Sequence, residues 1–282
     1  MTQRKSSKWV NRLAITGCDY GHVAGDYAYR VLGWRKAAAL GMDYQFGHEF
    51  SGGFLRVFEE LGGKVISRQF APVTTLDFGP YIAKIPREAD GLCDVITGAA
   101  SIRFLSSLRQ SGLMEKMQVI VGGTGVDETF LQQIGESALG IFSAANYSYS
   151  YPSPENLAFQ EFCRKRLKRE ATFPMVTSWI GFSWIAKTIE ALNGNVEDKE
   201  KLATALRRTE LETSIRGPLK MDKYGHAIQT YYIRKVEKIG GRLQNTTIAA
   251  YPNVSQFWSW NPEDILRQPV YSREYPQCKY CK

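Results

Sequence analysis

An α/β fold with a doubly wound parallel sheet is predicted for this 282-residue chain on three observations. Short apolar runs alternate with segments whose apolar residues recur at three- and four-residue spacing, the signatures of strand and helix. The alternation persists across residues 22–150, as expected where strands are joined by helical crossovers. Glycines stand where helices must stop, because glycine reaches positive φ without a Cβ clash.

A first helix is predicted over His22–Gly33, with Val23, Tyr27, Val31 and Leu32 apolar and Gly33 as its stop. Lys36–Met42 is an apolar strand closed by Asp43, and Phe50, Phe54, Leu55, Phe58 and Leu61 carry the next helical repeat. Gly62-Gly63 ends that helix and Lys64–Ser67 resumes as strand. Such a unit implies parallel strands with a right-handed crossover, and ligands of open parallel sheets sit beyond the carboxyl ends of the strands. Asp43–His48 is therefore the first place to look for function. Asp77 is a suitable N-cap for a helix over Phe78–Ala89, and Leu92–Ile96 is a buried strand. Ser101–Ser111 is helical and Gly112 ends it; Gln118–Val121 is strand; Asp127 caps a helix over Glu128–Ile134; Leu139–Ala144 is a fifth strand.

The alternation ends at Tyr147. Helices are predicted over Pro154–Glu170, Val176–Leu192 and Asp198–Arg208, and Arg216–Met221 with Ile228–Val236 form a hairpin around Asp222-Lys-Tyr-Gly225. The remainder holds Pro252, Pro262, Pro269 and Pro276, which predicts a segment running extended over the surface.

The formal charge of +8 is local: residues 1–36 hold seven Lys/Arg against two Asp, so five of the eight charges lie there. The rest is nearly balanced, and the basic run Arg164–Arg169 lacks interleaved aromatic residues, so it reads as a solvated helix face and no nucleic-acid partner is expected. The five cysteines match neither a disulfide framework nor paired metal knuckles; Cys278-Lys-Tyr-Cys281 is read as a local disulfide or a pair of free thiols. Ile15-Thr16-Gly17-Cys18 is similar to a lipoprotein cleavage box, yet Asn11 and Arg12 interrupt the apolar stretch that a secretion signal needs. No metal or organic cofactor is expected, since His22, His48 and His226 lie in unrelated segments, and no GxSxG elbow or paired-carboxylate signature marks an enzyme.

Several segments together resemble one family: Asp43-Tyr-Gln-Phe-Gly47, Glu59-Glu-Leu-Gly-Gly-Lys-Val65, Thr75-Leu-Asp-Phe78 followed by Tyr81-Ile-Ala-Lys-Ile85, Arg216-Gly-Pro218 and Asp222-Lys-Tyr-Gly225. In order and spacing they are similar to the substrate-binding proteins of branched-chain amino-acid type ABC transporters, the type I periplasmic-binding-protein fold. Tyr251–Trp258 and Pro269–Arg273 resemble the tail of a subgroup associated with small organic acids as well as amino acids. The resemblance implies two α/β lobes that close on a ligand, a periplasmic location, a small-molecule ligand (an amino acid, organic acid or amide) and a membrane permease as partner. It assigns 22–150 with 216–240 to a complete second lobe, 151–215 to the helical returning part of the first, 1–21 to an atypical N-terminal segment and 241–282 to an extended tail. The sheet of the first lobe, expected before position 20, has no counterpart, so an incomplete lobe and a truncated product are expected.

The resemblance places the ligand wall at Tyr44–Phe46, Thr97–Ser101, Gly122–Val126 and Asn146–Tyr149. Phe46, beside Gly47, takes the place of a ligand-packing aromatic, or else seals the helix start; Tyr44 is the weaker candidate. Thr97, Gly98, Ser101 and Tyr147 complete the expected set with Thr124, which stands where amino-acid-binding relatives often carry an acid for the ligand ammonium. A neutral hydroxyl cannot neutralise a buried cation, which counts against an α-amino acid and leaves room for an uncharged or carboxylate ligand; Asp127 nearby is read as a helix cap. Two rivals stay open: an α/β enzyme using a nucleotide cofactor, suggested by Gly122-Gly-Thr-Gly125 despite its lack of GxGxxG spacing, and a fragment that binds nothing.

Overall fold

A computed structural model describes residues 2–281. The chain divides into two units, one comprising Thr16–Ser150, Tyr231–Ala250 and Pro269–Lys282, the other Met1–Ile15, Tyr151–Thr230 and Tyr251–Gln268.

The larger unit starts with α1 (Gly17–Arg30), followed by β1 (Lys36–Met42), α2 (Gln45–Glu60), β2 (Lys64–Ala71), α3 (Gly79–Ile82), β3 (Gly91–Val95), α4 (Ala99–Gln110), β4 (Gln118–Gly122), α5 (Leu131–Ile134) and β5 (Phe142–Ala145). These strands pair in parallel in the order β2-β1-β3-β4-β5. Alternation along β1 sends Ala38, Leu40 and Met42 into a core shared with Phe78, Phe104, Leu105 and Ile134. The other face is covered by α1 and α2, whose Tyr20, Val23, Tyr27, Phe50, Phe54 and Phe58 are buried. Helices thus cover both faces, as the apolar runs require.

Helix α1 starts at Gly17 rather than His22. Thr16 precedes it, with its N–H donating to Asp19 Oδ2 at 3.1 Å. The extra turn is read poorly from apolar period because its contact face is glycine: a Cβ on Gly17 or Gly25 would lie 2.5 or 2.7 Å from the carbonyls of Phe46 and Phe54, and one on Gly21 closer still to that of Phe50. The helix expected over Phe78–Ala89 is a single turn, α3. Asp77 does accept from Gly79 N–H at 2.8 Å, but Pro86 offers no N–H to continue the ladder. The helix expected from Glu128 is likewise short, since Asp127 first closes a turn with Thr129 N–H at 3.0 Å.

The second unit carries α6 (Pro154–Phe162), α7 (Phe173–Ala191), α8 (Lys199–Arg208) and β6 (Leu219–Met221). Helix α7 buries Val176, Ile180 and Trp184, while Trp179, Phe182, Ile185 and Ile189 are exposed. Strand β7 (Ala227–Ile239) pairs with β6 at its start and antiparallel to β5 further on. The sequence reading ends the hairpin near Val236; instead β7 turns through Gly240-Gly241, both at positive φ, into β8 (Arg242–Val254), which pairs with it. Part of the expected tail is therefore strand, and α9 (Pro262–Arg267) adds a short helix. No helix among the described residues is long and apolar enough to cross a membrane.

Candidate functional site

Because β1, β3, β4 and β5 are parallel, their carboxyl ends share one edge. The chain leaves β1 for β2 on one side and then passes to β3 on the other. The winding direction reverses between β1 and β3, and that switch point is where open α/β sheets form a crevice.

Tyr44 follows β1 and Thr97 follows β3, and their hydroxyls are 3.2 Å apart. Phe46 lies in the first turn of α2, its ring centroid 6.2 Å from that of Tyr44 and 6.3 Å from that of Tyr20, the latter edge-on. Tyr44 is the more exposed ring and Phe46 is half-buried. Gly98 takes φ +64° at the start of α4, a conformation that favours glycine. The buried Ser101 donates its hydroxyl to the Gly98 carbonyl at 2.6 Å, so this serine braces the turn.

Thr124 and Tyr147 belong to a second group, on the loops after β4 and β5. Arg234 of β7, fully buried, donates to Ser143 Oγ (3.1 Å), the Tyr147 carbonyl (3.0 Å) and the Gly123 carbonyl (3.0 Å). One guanidinium thereby ties both loops. Thr124 Oγ1 is buried and has no hydrogen-bond partner. Tyr147 is buried, and burial pushes its phenol up, with the Glu128 charge adding to the effect. Burial also pushes the Glu128 carboxyl up to about 6 against the pull of Arg234, and Asn245 donates to it at 2.9 Å. The glycines of Gly122-Gly-Thr-Gly125 answer to packing: a Cβ at Gly123 would meet Ala145 Cβ at 2.5 Å, and one at Gly125 the Ile96 carbonyl at 3.1 Å.

Tyr20 links the two groups from behind. Its ring meets Phe46, while its hydroxyl donates to Asn146 Oδ1 at 3.0 Å beside Tyr147. At the outer end of β1, Asp43 accepts from His48 Nε2 at 2.8 Å and pairs with Arg273. These two contacts, His48 first, hold its carboxyl below the usual range. Three residues thus join the site that motif reading passes over: Tyr20, Arg234 and Arg273. The glycine repeat at 17, 21 and 25 signals that Tyr20 sits on a close helix contact, whereas Arg234, followed by Lys235, reads as an ordinary solvated strand charge and carries no signal of its burial. Arg273 stands in the tail segment that carries the resemblance, but nothing there signals its contact with Asp43 across 230 positions. Among the described residues no group of three or more His, Cys, Asp or Glu is arranged to hold a metal ion.

A family model described as periplasmic binding protein matches residues 2–241. The Leu/Ile/Val-binding protein homolog 6 of Brucella melitensis is 32% identical over 212 residues, 73% of this chain and 54% of that protein. The chain thus spans about half the length of the curated relatives it matches. Among solved structures, an ABC transporter substrate-binding protein from Sphaerobacter thermophilus superposes with TM-score 0.84 at 31% identity, covering 88% of this chain and 68% of that one. A solute-binding protein of an ABC transporter from Rhodopseudomonas palustris HaA2, in complex with p-hydroxybenzoic acid, gives TM-score 0.83 at 30% identity, covering 89% and 69%.

Proposed function

This chain belongs to the periplasmic binding protein family, a family of binding proteins rather than enzymes, and on that footing we propose that it is the solute-binding component of an ABC importer for small carboxylates, aromatic acids foremost. The observation that carries the reading is the aromatic and hydroxyl lining at the switch point: Tyr44 hydrogen-bonded to Thr97, with Phe46 against Tyr44 and Tyr20. Flat rings offer large apolar contact with few torsions to freeze, and hydroxyls supply orientation. Thr124, with a buried hydroxyl that lacks a partner, suits a neutral or anionic oxygen and gives an α-ammonium no counter-charge. Ligand would stabilise the closed form that a membrane permease recognises, with no chemistry performed. On the same footing α6, α7 and α8 are the returning part of the first lobe; the exposed Trp179, Phe182, Ile185 and Ile189 of α7 support this, since an all-round apolar helix calls for a second packing layer.

A thermal-shift screen tests the reading. A ligand at a hundred times its Kd should add about 2.7 kcal/mol to the folded state. Stabilisation by benzoates or aliphatic carboxylates is expected; a response only to nucleotides would overturn it.

A further inference from the structure

Pro269–Lys282 belongs to the same unit as the strand-end loops, and its residues 271–281 are fastened to it. Arg68 of β2 donates to the carbonyls of Arg273 (2.7 Å) and Pro276 (2.8 Å). Tyr271 and Pro276 press on α2 where a Cβ at Gly52 would come within 2.8 and 2.9 Å of them. Cys278 and Cys281, joined in a disulfide, close the end. From this fastened segment two contacts reach the loop after β1. The Arg273 guanidinium pairs with Asp43, and the Tyr271 carbonyl accepts from Gln45 Nε2 at 3.3 Å. Asp43 and Gln45 flank Tyr44. The opposite side of the same turn is held by α1, where Gly17 N–H donates to Glu49 Oε2 at 3.0 Å and Tyr20 meets Phe46.

We propose that the C-terminal segment is a positioning brace for the ligand loop: Arg273 through Asp43, and the Tyr271 carbonyl through Gln45, hold Tyr44 and Phe46 in the orientation that receives solute. The ion pair is a charge-assisted contact on the residue next to Tyr44, so it restricts that loop before ligand arrives. A loop already ordered spares binding the entropy of ordering it. Arg273 is a positioning residue that acts on solute only through Asp43, and its effect on affinity rests on the solute-site reading above.

Two measurements on the full chain separate this proposal from that reading. Hydrogen exchange of the ligand-free protein over 43–49 should quicken about threefold or more in Arg273→Ala and in Gln45→Ala, as local opening becomes easier. Affinity for 4-hydroxybenzoate should weaken about fivefold in Arg273→Ala and recover in part in Arg273→Lys, which keeps the charge. Unchanged exchange in both variants overturns the brace, as does faster exchange with wild-type affinity. Failure of the wild type to bind 4-hydroxybenzoate counts against the solute reading, and exchange alone then decides whether the segment holds the loop.

Discussion

The hydroxyls of Tyr44 and Thr97 lie 3.2 Å apart beyond the carboxyl ends of β1 and β3, so one hydrogen bond spans the point where the winding of the sheet reverses. Tyr44→Phe and Thr97→Val each remove that bond while keeping shape, and a neutral hydrogen bond is worth about 0.5–1.5 kcal/mol. That loss falls on the fold, so each should lower stability by about that much; each also withdraws a hydroxyl from solute, and loss of one such bond to solute should weaken binding about two- to tenfold. Phe46→Ala should weaken binding more, because it removes ring contact as well. Titration calorimetry of the variants checks the order; equal affinities would remove these residues from the site.

The α1–α2 interface depends on bare backbone. Gly21→Ala would press a methyl into the Phe50 carbonyl, and backbone on both sides cannot yield as a flexible side chain would. Destabilisation of about 1–3 kcal/mol is expected, the range for overpacking. It would appear as a lower urea midpoint at unchanged slope; an unchanged midpoint would mean that the helices separate freely.

Two buried groups give opposite pH slopes. Burial lowers His22 to about 4, with the Asp19 charge opposing. The unfolded imidazole therefore binds more protons, and stability is lost as pH falls from about 6.5 through about 4, by up to about 3 kcal/mol. Burial instead raises Asp94, whose Oδ1 accepts from Ile96 N–H at 2.8 Å while Oδ2 has no partner. Its contribution is full below the ordinary aspartate range and is lost as pH rises. Asp94→Asn should thus gain stability relative to wild type at pH 8 compared with pH 4, in urea melts at both; an equal difference at the two pH values would show Asp94 ionised in the fold.

Thiol reactivity should divide the cysteines cleanly. Cys18, Cys93 and Cys163 are buried, and burial raises all three thiols, which leaves little thiolate. Native protein should give almost no colour with a thiol reagent, and mild reduction should expose two thiols, Cys278 and Cys281. More than two under native conditions would mean that a core cysteine is accessible.

Trp179 and Phe182 on α7 are exposed, and a contiguous apolar face of this kind binds hydrophobic dyes. A Trp179→Lys/Phe182→Lys variant should lose most of the dye fluorescence while α7 stays helical by circular dichroism. Undiminished fluorescence would place the dye elsewhere.

The parallel sheet and its carboxyl edge were legible because apolar runs and helical spacing report burial directly, and Asp43–His48 followed from topology. What stayed hidden depends on contacts that carry no local period. Gly17, Gly21 and Gly25 pack by absence of side chain. Arg234 is charged yet buried, against the usual meaning of a charge in a strand. Arg273 meets Asp43 across 230 positions of sequence, a contact that no local pattern carries. Thr124 was placed by resemblance, and its unpartnered hydroxyl follows from how the loop after β4 packs.

The proposed solute site takes carboxylates in preference to α-amino acids. Titration calorimetry of the wild-type chain with 4-hydroxybenzoate and with L-leucine tests it most directly. Saturable binding of 4-hydroxybenzoate, tighter than that of leucine by about tenfold or more as the missing counter-charge at Thr124 implies, is the predicted result. Leucine binding as tightly or more tightly would contradict it.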